Sequence, residues 1–143
     1  MKRTSTAVWR GSGKGGTGSI TSQSQFLNEA PYKYNSRFGD ETGTNPEELI
    51  AAAHAACFTM KLAFLLSEAG FEPELLETVA EVSLLKTTLS HSHLNVKGVV
   101  QNLDEQKFWE FANNAKDNCP VSKALNMAIT LDVHLEEMAE VGL

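Results

Sequence analysis

The chain contains two cysteines, Cys57 and Cys119, whose surroundings in the sequence differ. Cys119 precedes Pro120 at the predicted start of a short helix, where free N–H groups and the helix dipole favour a negatively charged sulfur. Cys57 lies more than two turns inside an alanine-rich helix and has no such help from its own helix end. A reactive Cys57 therefore needs a cation supplied from elsewhere. In a reducing compartment, such thiols are more often free, catalytic or redox-active than structural.

Arg37 is the candidate for that cation, because it is the one arginine in the segment 27–44, which we predict to be irregular. Its guanidinium group stays charged and can bind a carboxylate and a sulfur together. Glu47 is the candidate carboxylate. Glu47 and Cys57 are separated by ten residues, about 15 Å along a helix, so one Arg37 cannot contact both on a single straight helix. Either the thiol belongs to a partner chain, or the first turn of the helix leaves the straight path.

His54 and Lys61 lie within one turn of Cys57 on the predicted helix. His54 could assist formation of a thiolate, but a buried histidine that is packed or hydrogen-bonded in an interface is the favoured interpretation. Lys61 could stabilise a thiolate or could mark the point where the helix reaches solvent.

Two other patterns favour ordinary structural interpretations. The segment Lys14–Ile20 resembles a phosphate-binding loop but lacks a lysine at Ser19, and a strand rather than a helix follows it, so we predict a flexible hairpin loop. His91 and His93 share one strand face with the spacing of two metal ligands, yet a third ligand is not evident. We predict a solvated strand face and no metal site.

The sequence pattern predicts the helices and strands that position these residues. Their order, ββ-α-ββ-αα-β, indicates an α+β fold with antiparallel sheets and a long buried central helix. The alanine-rich helix has clear limits, with Asn45 as its cap, Pro46 in its first turn and Gly70 as its stop. It is apolar almost all round from Leu49 to Leu66, which favours packing against a second chain. The predicted strands cover 4–9, 19–26, 78–86, 91–100 and 129–135, and the predicted helices cover 46–68, 104–118 and 119–125.

The chain has 143 residues and a formal net charge of -6, which fits a single domain over 1–143 and argues against nucleic-acid binding or a basic membrane-binding face. We find no apolar run near the roughly 20 residues that span a bilayer, and no signal peptide. A cytoplasmic location is the expectation.

These motifs resemble the OsmC/Ohr family, and the osmotically inducible protein C branch most of all. The resemblance extends over most of the chain. It is strongest in Tyr34–Phe38, Gly43–Ile50, Ala52–Phe58, Glu68–Phe71 and Cys119–Lys123, and Trp9–Gly11 with the glycine-rich loop also fits that branch.

The resemblance implies a thiol peroxidase that reduces organic hydroperoxides, without a cofactor, as an intertwined homodimer with shared active sites. It implies that Cys57 attacks the peroxide, that Cys119 resolves the sulfenic acid as a disulfide, that Arg37 holds the thiolate and that Glu47 positions Arg37. It also implies an external dithiol reductant, commonly a lipoyl-bearing protein.

Four apolar residues are candidates to line a substrate pocket near Cys57, and an equal alternative is that each is an ordinary core residue: Phe26, Phe38, Phe58 and Met60. The alternative function is a non-catalytic stress protein that binds a small molecule on the same fold. A structural protein with a buried thiol ranks last.

Overall fold

The computed structural model describes residues 1–137, which form two compact units, one covering Met1–Leu49 and the other beginning at Ile50. The first unit contains a three-stranded antiparallel sheet in the order β1-β2-β3, formed by β1 (Ser5–Arg10), β2 (Thr17–Ser22) and β3 (Ala30–Tyr32). A short helix, α1 (Tyr34–Phe38), follows β3.

The long helix α2 (Pro46–Glu68) contributes its first turn to the first unit and the rest to the second. The Asn45 side chain accepts a hydrogen bond from the N–H of Glu48 at 2.8 Å, which satisfies one free donor at the helix start. The helix ends at Glu68, and Gly70 follows it with a φ of +91°, a left-handed conformation that favours glycine. The predicted cap and stop are thus both confirmed.

The second unit contains a three-stranded sheet in the order β4-β5-β6, made of β4 (Pro73–Leu85), β5 (Thr88–Val100) and β6 (Ala128–Leu135). β4 and β5 form an antiparallel hairpin, whereas β6 runs parallel to β5 with Leu94 beside Leu131. Two helices, α3 (Glu105–Asn118) and α4 (Pro120–Ala124), form the crossover that a parallel pair requires.

The hydrophobic core of the second unit forms where one stripe of α2 meets β5 and α3. Its fully buried members repeat at helical spacing on α2, at strand spacing on β5 and at helical spacing on α3: Phe58, Leu62, Leu66, Leu94, Val96, Phe108, Ala112 and Ala115. Each large apolar side chain removed from water in this way contributes about 1.5–3 kcal/mol. Cys119, which follows the end of α3, is also a buried member of this core.

The α+β class is confirmed, and several details differ from the prediction, among them the end of β2 at Ser22 and the start of β5 at Thr88. Segment 27–44 is not wholly irregular, since it holds β3 and α1, which are too short to show a period. The sheets are not all antiparallel, because an alternating strand such as β6 carries no signal for the direction of its neighbour. β4 begins at Pro73, five residues before its predicted start.

Helix α2 also corrects the expectation about apolar runs. By length and composition it could cross a membrane, with a mean hydropathy of 1.8 in its most apolar window, since Lys61 is the one lysine, arginine or carboxylate between Leu49 and Leu66. Core helices share this character. Only 22% of that window is buried within the chain, so the predicted covering of α2 by a second chain stays a prediction.

Candidate active site

Arg37 and Glu47 form a two-pronged ion pair in the first unit. Arg37 lies in α1 and Glu47 in the first turn of α2, and the Nε and Nη2 groups of Arg37 donate to Glu47 Oε1 at 3.0 and 2.6 Å. Partial burial raises the pKa of Glu47, but hydrogen bonds from Arg37 and from the backbone, together with the positive charge of Arg37, outweigh it and hold the pKa below its usual value. The carboxylate therefore stays charged at neutral pH and fixes the guanidinium.

An aromatic cavity of about 140 Å³ lies beside Arg37 in the same unit. The guanidinium carbon lies 5.0 Å from the centre of the Phe38 ring. The other ring-bearing side chains that line the cavity are Trp9, Tyr32 and Tyr34. The cavity therefore combines an aromatic wall with two positive charges, those of Arg37 and of Lys33, and Lys33 pairs with Glu41 at 3.0 Å.

Gly18 allows two of these rings to meet. It pairs with Trp9 on one side and with Tyr32 on the other, and the two ring centroids are 5.3 Å apart. A Cβ atom at position 18 would lie 2.5 Å from the Tyr32 ring and 2.6 Å from the Trp9 ring. Only glycine leaves room for this arrangement.

Of the four predicted liners, Phe38 alone lines this cavity. Phe58 is fully buried in the core of the second unit, whereas Phe26 and Met60 are exposed. Trp9, Tyr32 and Tyr34 were missed, because strand pairing brings Trp9 and Tyr32 together across 23 residues of sequence.

The two cysteines lie side by side in the second unit, both as free thiols. Cys57 is half-buried on α2, and Cys119 is fully buried between α3 and α4. Burial raises the pKa of Cys57, and the Cys119 side chain beside it raises the pKa further, while the backbone of Val121 acts in the opposite direction. Within the second unit, Cys57 is therefore held in its protonated form.

Cys119 occupies the cap position of α4, as its place before Pro120 predicts. Its sulfur accepts a hydrogen bond from the N–H of Ser122 at 3.3 Å and lies 3.1 Å from the Ser122 hydroxyl. These contacts hold the Cys119 side chain in one place.

His54 is fully buried and hydrogen-bonded through both ring nitrogens, as favoured, but its partners lie within this chain and not across an interface. Its Nδ1 lies 2.7 Å from the Ser92 hydroxyl, and its Nε2 lies 2.8 Å from the Ser122 hydroxyl. Burial lowers the pKa of His54 and so favours the neutral ring. The two serines were missed because they lie 38 and 68 residues from His54 in the sequence.

The other two patterns lie in a hairpin turn, as predicted, and on a half-buried strand face. The glycine-rich segment is the turn of the β1–β2 hairpin. His91 and His93 both contact the Thr130 hydroxyl on β6, and His93 also contacts Asp132. Within residues 1–137, no group of three or more metal-binding side chains comes together.

Comparisons with known proteins identify the family of this chain. The OsmC-like protein family matches residues 39–134. Peroxiredoxin OsmC of Escherichia coli K12 is 45% identical over 134 residues, covering 91% of this chain and 94% of that protein. The organic hydroperoxide resistance protein OhrB of Bacillus subtilis strain 168 is 37% identical over 125 residues, covering 85% and 90%. The crystal structure of Bacillus subtilis OhrB superposes with a TM-score of 0.66 at 30% identity, covering 93% of this chain and 98% of that one. The chain therefore belongs to the OsmC/Ohr family.

Proposed function

We propose that this protein is a cysteine-based peroxidase that reduces organic hydroperoxides to alcohols. The observation that carries the proposal is the pair of free thiols, Cys57 and Cys119, side by side in one unit. Relatives named peroxiredoxin and organic hydroperoxide resistance protein support a peroxide-reducing enzyme. The preference for organic hydroperoxides and the roles below are our proposal.

Cys57 is the proposed attacking thiol, because it is half-buried and a peroxide can reach it, whereas Cys119 is fully buried. The Cys57 thiolate attacks one peroxide oxygen, the O–O bond breaks, and an S–O bond forms. The departing alkoxide takes up a proton and leaves as the alcohol, while Cys57 becomes a sulfenic acid.

Cys119 is the proposed resolving thiol. Its sulfur displaces the hydroxide of the sulfenic acid, which leaves as water after protonation, and the two sulfurs form a disulfide. An external dithiol then reduces this disulfide by exchange and becomes a disulfide itself. A lipoyl-bearing protein is the proposed dithiol donor, and the cytoplasm is the proposed location.

Activation of Cys57 is the step that the second unit does not supply, since burial and Cys119 both raise the pKa of this thiol. We propose that Arg37, held by Glu47, supplies the missing positive charge in a homodimer, so that the Arg37–Glu47 pair of one chain serves Cys57 of the partner subunit. The ten-residue helical spacing, about 15 Å, supports two chains, as does the large unburied fraction of the apolar helix α2. The aromatic cavity beside Arg37 is the proposed site for the hydrocarbon part of the substrate.

The experiment mixes fully reduced protein with one equivalent of an alkyl hydroperoxide and follows peroxide and free thiols together. We expect the wild-type protein to lose both thiols and the peroxide in parallel, and to react more slowly with hydrogen peroxide. Cys57→Ser should leave the peroxide intact. Cys119→Ser should consume one equivalent and stop at a sulfenic acid that a dimedone probe traps.

Full peroxide turnover by Cys57→Ser would refute the assignment of the attacking thiol. Unchanged thiol counts in the wild-type protein would favour the non-catalytic binding protein instead. Light scattering at micromolar concentration should give twice the mass of one chain, and the mass of a single chain would refute the shared site.

A further inference from the structure

A continuous line of hydrogen bonds runs through the interior of the second unit and ends at Cys119. It joins Ser92 on β5 to His54 on α2 at 2.7 Å, His54 to Ser122 on α4 at 2.8 Å, and Ser122 to the Cys119 sulfur at 3.1 Å. Three different elements supply its members. His54, Ser92 and Cys119 are fully inaccessible to solvent, and Ser122 is only 8% exposed.

This line is built from groups that allow a proton to move along it. Each serine hydroxyl donates one hydrogen bond and accepts others, so the direction of the bonds can reverse without movement of heavy atoms. The neutral imidazole ring accepts at one nitrogen and donates at the other. When His54 carries its proton on Nδ1 and donates to Ser92, its Nε2 accepts from Ser122, and the Ser122 hydroxyl then accepts from the Cys119 thiol.

We propose that His54 is a positioning residue for disulfide formation, and that it withdraws the proton of Cys119 through the Ser122 hydroxyl. Its place in the reaction rests on the proposed function. The buried Cys119 cannot pass its proton directly to water, and the Ser122 hydroxyl is the polar group that touches its sulfur and leads to a base.

The S–H bond of Cys119 breaks, its proton passes to Ser122, and the proton of Ser122 passes to His54 Nε2. The Cys119 thiolate then attacks the sulfenic sulfur of Cys57, the S–O bond breaks, and the S–S bond forms, so that Cys119 is oxidised and Cys57 reduced. The departing hydroxide takes up one proton to become water, and His54 releases one proton to restore its neutral form.

The groups around His54 keep it neutral and able to accept a proton. Ser92 faces it from β5 and Ser122 from α4, Cys57 follows it by three residues on α2, and Cys119 lies beyond Ser122. The other charged or titratable side chains of these elements do not face His54. His91 and His93 lie on the opposite face of β5 and bond to β6. Lys123 on α4 is exposed, and Lys61 is half-buried two turns further along α2. Burial lowers the pKa of His54, so the ring is neutral in the neutral range and Nε2 has a lone pair that faces Ser122, while the same burial makes the ring a weaker base.

Ser122→Ala tests the relay, because it removes one hydroxyl and leaves His54 and both cysteines in place. Two routes to the same disulfide are followed. In the first, reduced protein reacts with one equivalent of alkyl hydroperoxide, and quenched samples are analysed by mass spectrometry for sulfenic acid and disulfide. In the second route, an aromatic disulfide reagent forms a mixed disulfide with the more exposed Cys57 and releases one thionitrobenzoate. Cys119 then attacks this mixed disulfide and releases a second thionitrobenzoate, which is measured by its colour.

We expect Ser122→Ala to form the sulfenic acid at the wild-type rate, and to form the Cys57–Cys119 disulfide about tenfold or more slowly by both routes. The wild-type rate of disulfide formation should level off near neutral pH, where His54 is neutral. The Ser122→Ala rate should keep rising toward alkaline pH, because the thiol must then ionise without the relay. Ser122→Thr should restore the wild-type rate and profile. Thr59→Val, which removes a half-buried hydroxyl bonded to Thr78 in the same unit, should change neither.

A wild-type rate that keeps rising toward alkaline pH would overturn the relay without the use of any variant. An equal rate and pH profile for Ser122→Ala would overturn it as well. The second route keeps the two proposals apart, because it uses no peroxide. A slow Ser122→Ala in that route supports the relay even where the wild-type protein consumes no hydroperoxide, a result that would refute the proposed function alone.

Discussion

Glu47→Gln is the sharpest test of how Arg37 is held. The substitution removes one negative charge and keeps the shape of the side chain. In the structure, Arg37 Nε donates to both carboxylate oxygens at 3.0 and 3.2 Å, and Nη2 donates to Oε1 at 2.6 Å. A glutamine offers one oxygen and places an NH₂ group against the guanidinium, so at least one of these contacts becomes repulsive.

The expected loss of rate in Glu47→Gln depends on how exposed the Arg37 and Glu47 side chains are. Hydrogen bonds to charged groups contribute about 1.5–3 kcal/mol when buried, and exposed ion pairs contribute about 0.2–1 kcal/mol. The Glu47 side chain is 13% exposed and that of Arg37 is 38% exposed, so the pair lies between these limits, at roughly 1–2 kcal/mol. If that energy holds Arg37 where Cys57 of the partner subunit reacts, its loss lowers the rate by roughly 5- to 30-fold.

The assay measures the rate of Cys57 oxidation by an alkyl hydroperoxide between about pH 6 and 8. Because the pKa of Glu47 lies below its usual value, the carboxylate is charged throughout this range and the pair would be lost only in more acidic solution. The 5- to 30-fold decrease should therefore be independent of pH across the range. Displacement of the second thionitrobenzoate by Cys119 should keep its wild-type rate.

Glu29→Gln is the matched control, since Glu29 is an exposed carboxylate of the same unit and does not line the cavity. It changes the net charge equally, and we expect wild-type kinetics. The reasoning fails if Glu47→Gln reacts within twofold of wild type, or if both variants slow the reaction equally, because the cause would then be net charge and not the position of Arg37.

Two further predictions concern stability and the cavity. Because burial lowers the pKa of His54 in the folded state, the unfolded chain binds more protons below about pH 6.5, and unfolding should become easier on acidification, by up to about 1.4 kcal/mol per pH unit. Urea unfolding at several pH values measures this slope, which should be shallower in a folded His54→Gln variant; an equal slope would assign the effect to other groups. Gly18→Val should displace the Trp9 and Tyr32 rings, lower stability by about 1–3 kcal/mol and raise the KM for a bulky alkyl hydroperoxide. An unchanged KM would exclude the cavity as the substrate site.

Local signals predicted those parts of the structure that local interactions determine. The limits of α2 follow from Asn45 and Gly70, whose roles depend on a few neighbouring residues. The class of fold and the position of Cys119 at a helix start were predicted for the same reason. The contact between Arg37 and Glu47 was predicted from the types of the two side chains, a cation in a connection and a carboxylate at the start of the next helix.

Contacts between distant segments of the chain could not be predicted from local sequence patterns. The direction of β6 depends on a crossover through α3 and α4, and its alternating pattern is the same for either direction. Ser92 and Ser122 are ordinary serines in the sequence, and only the packing of β5 and α4 against α2 brings both to His54. The cavity rings depend in the same way on the register in which Gly18 pairs with Trp9 and Tyr32.

The two thiols divide the proposed chemistry because their environments differ. Cys119 accepts a hydrogen bond from the Ser122 N–H, and its sulfur contacts the Ser122 hydroxyl, which leads to the buried His54, so the groups of the proposed relay lie in one unit. Cys57 is the more exposed thiol, but burial and Cys119 raise its pKa, and its place deep in α2 is beyond the range of the helix dipole. A resting Cys57 without an added cation is therefore a poor nucleophile. Placing that cation on a second chain would make attack on peroxide depend on assembly, while the ability to form the disulfide remains built into each chain.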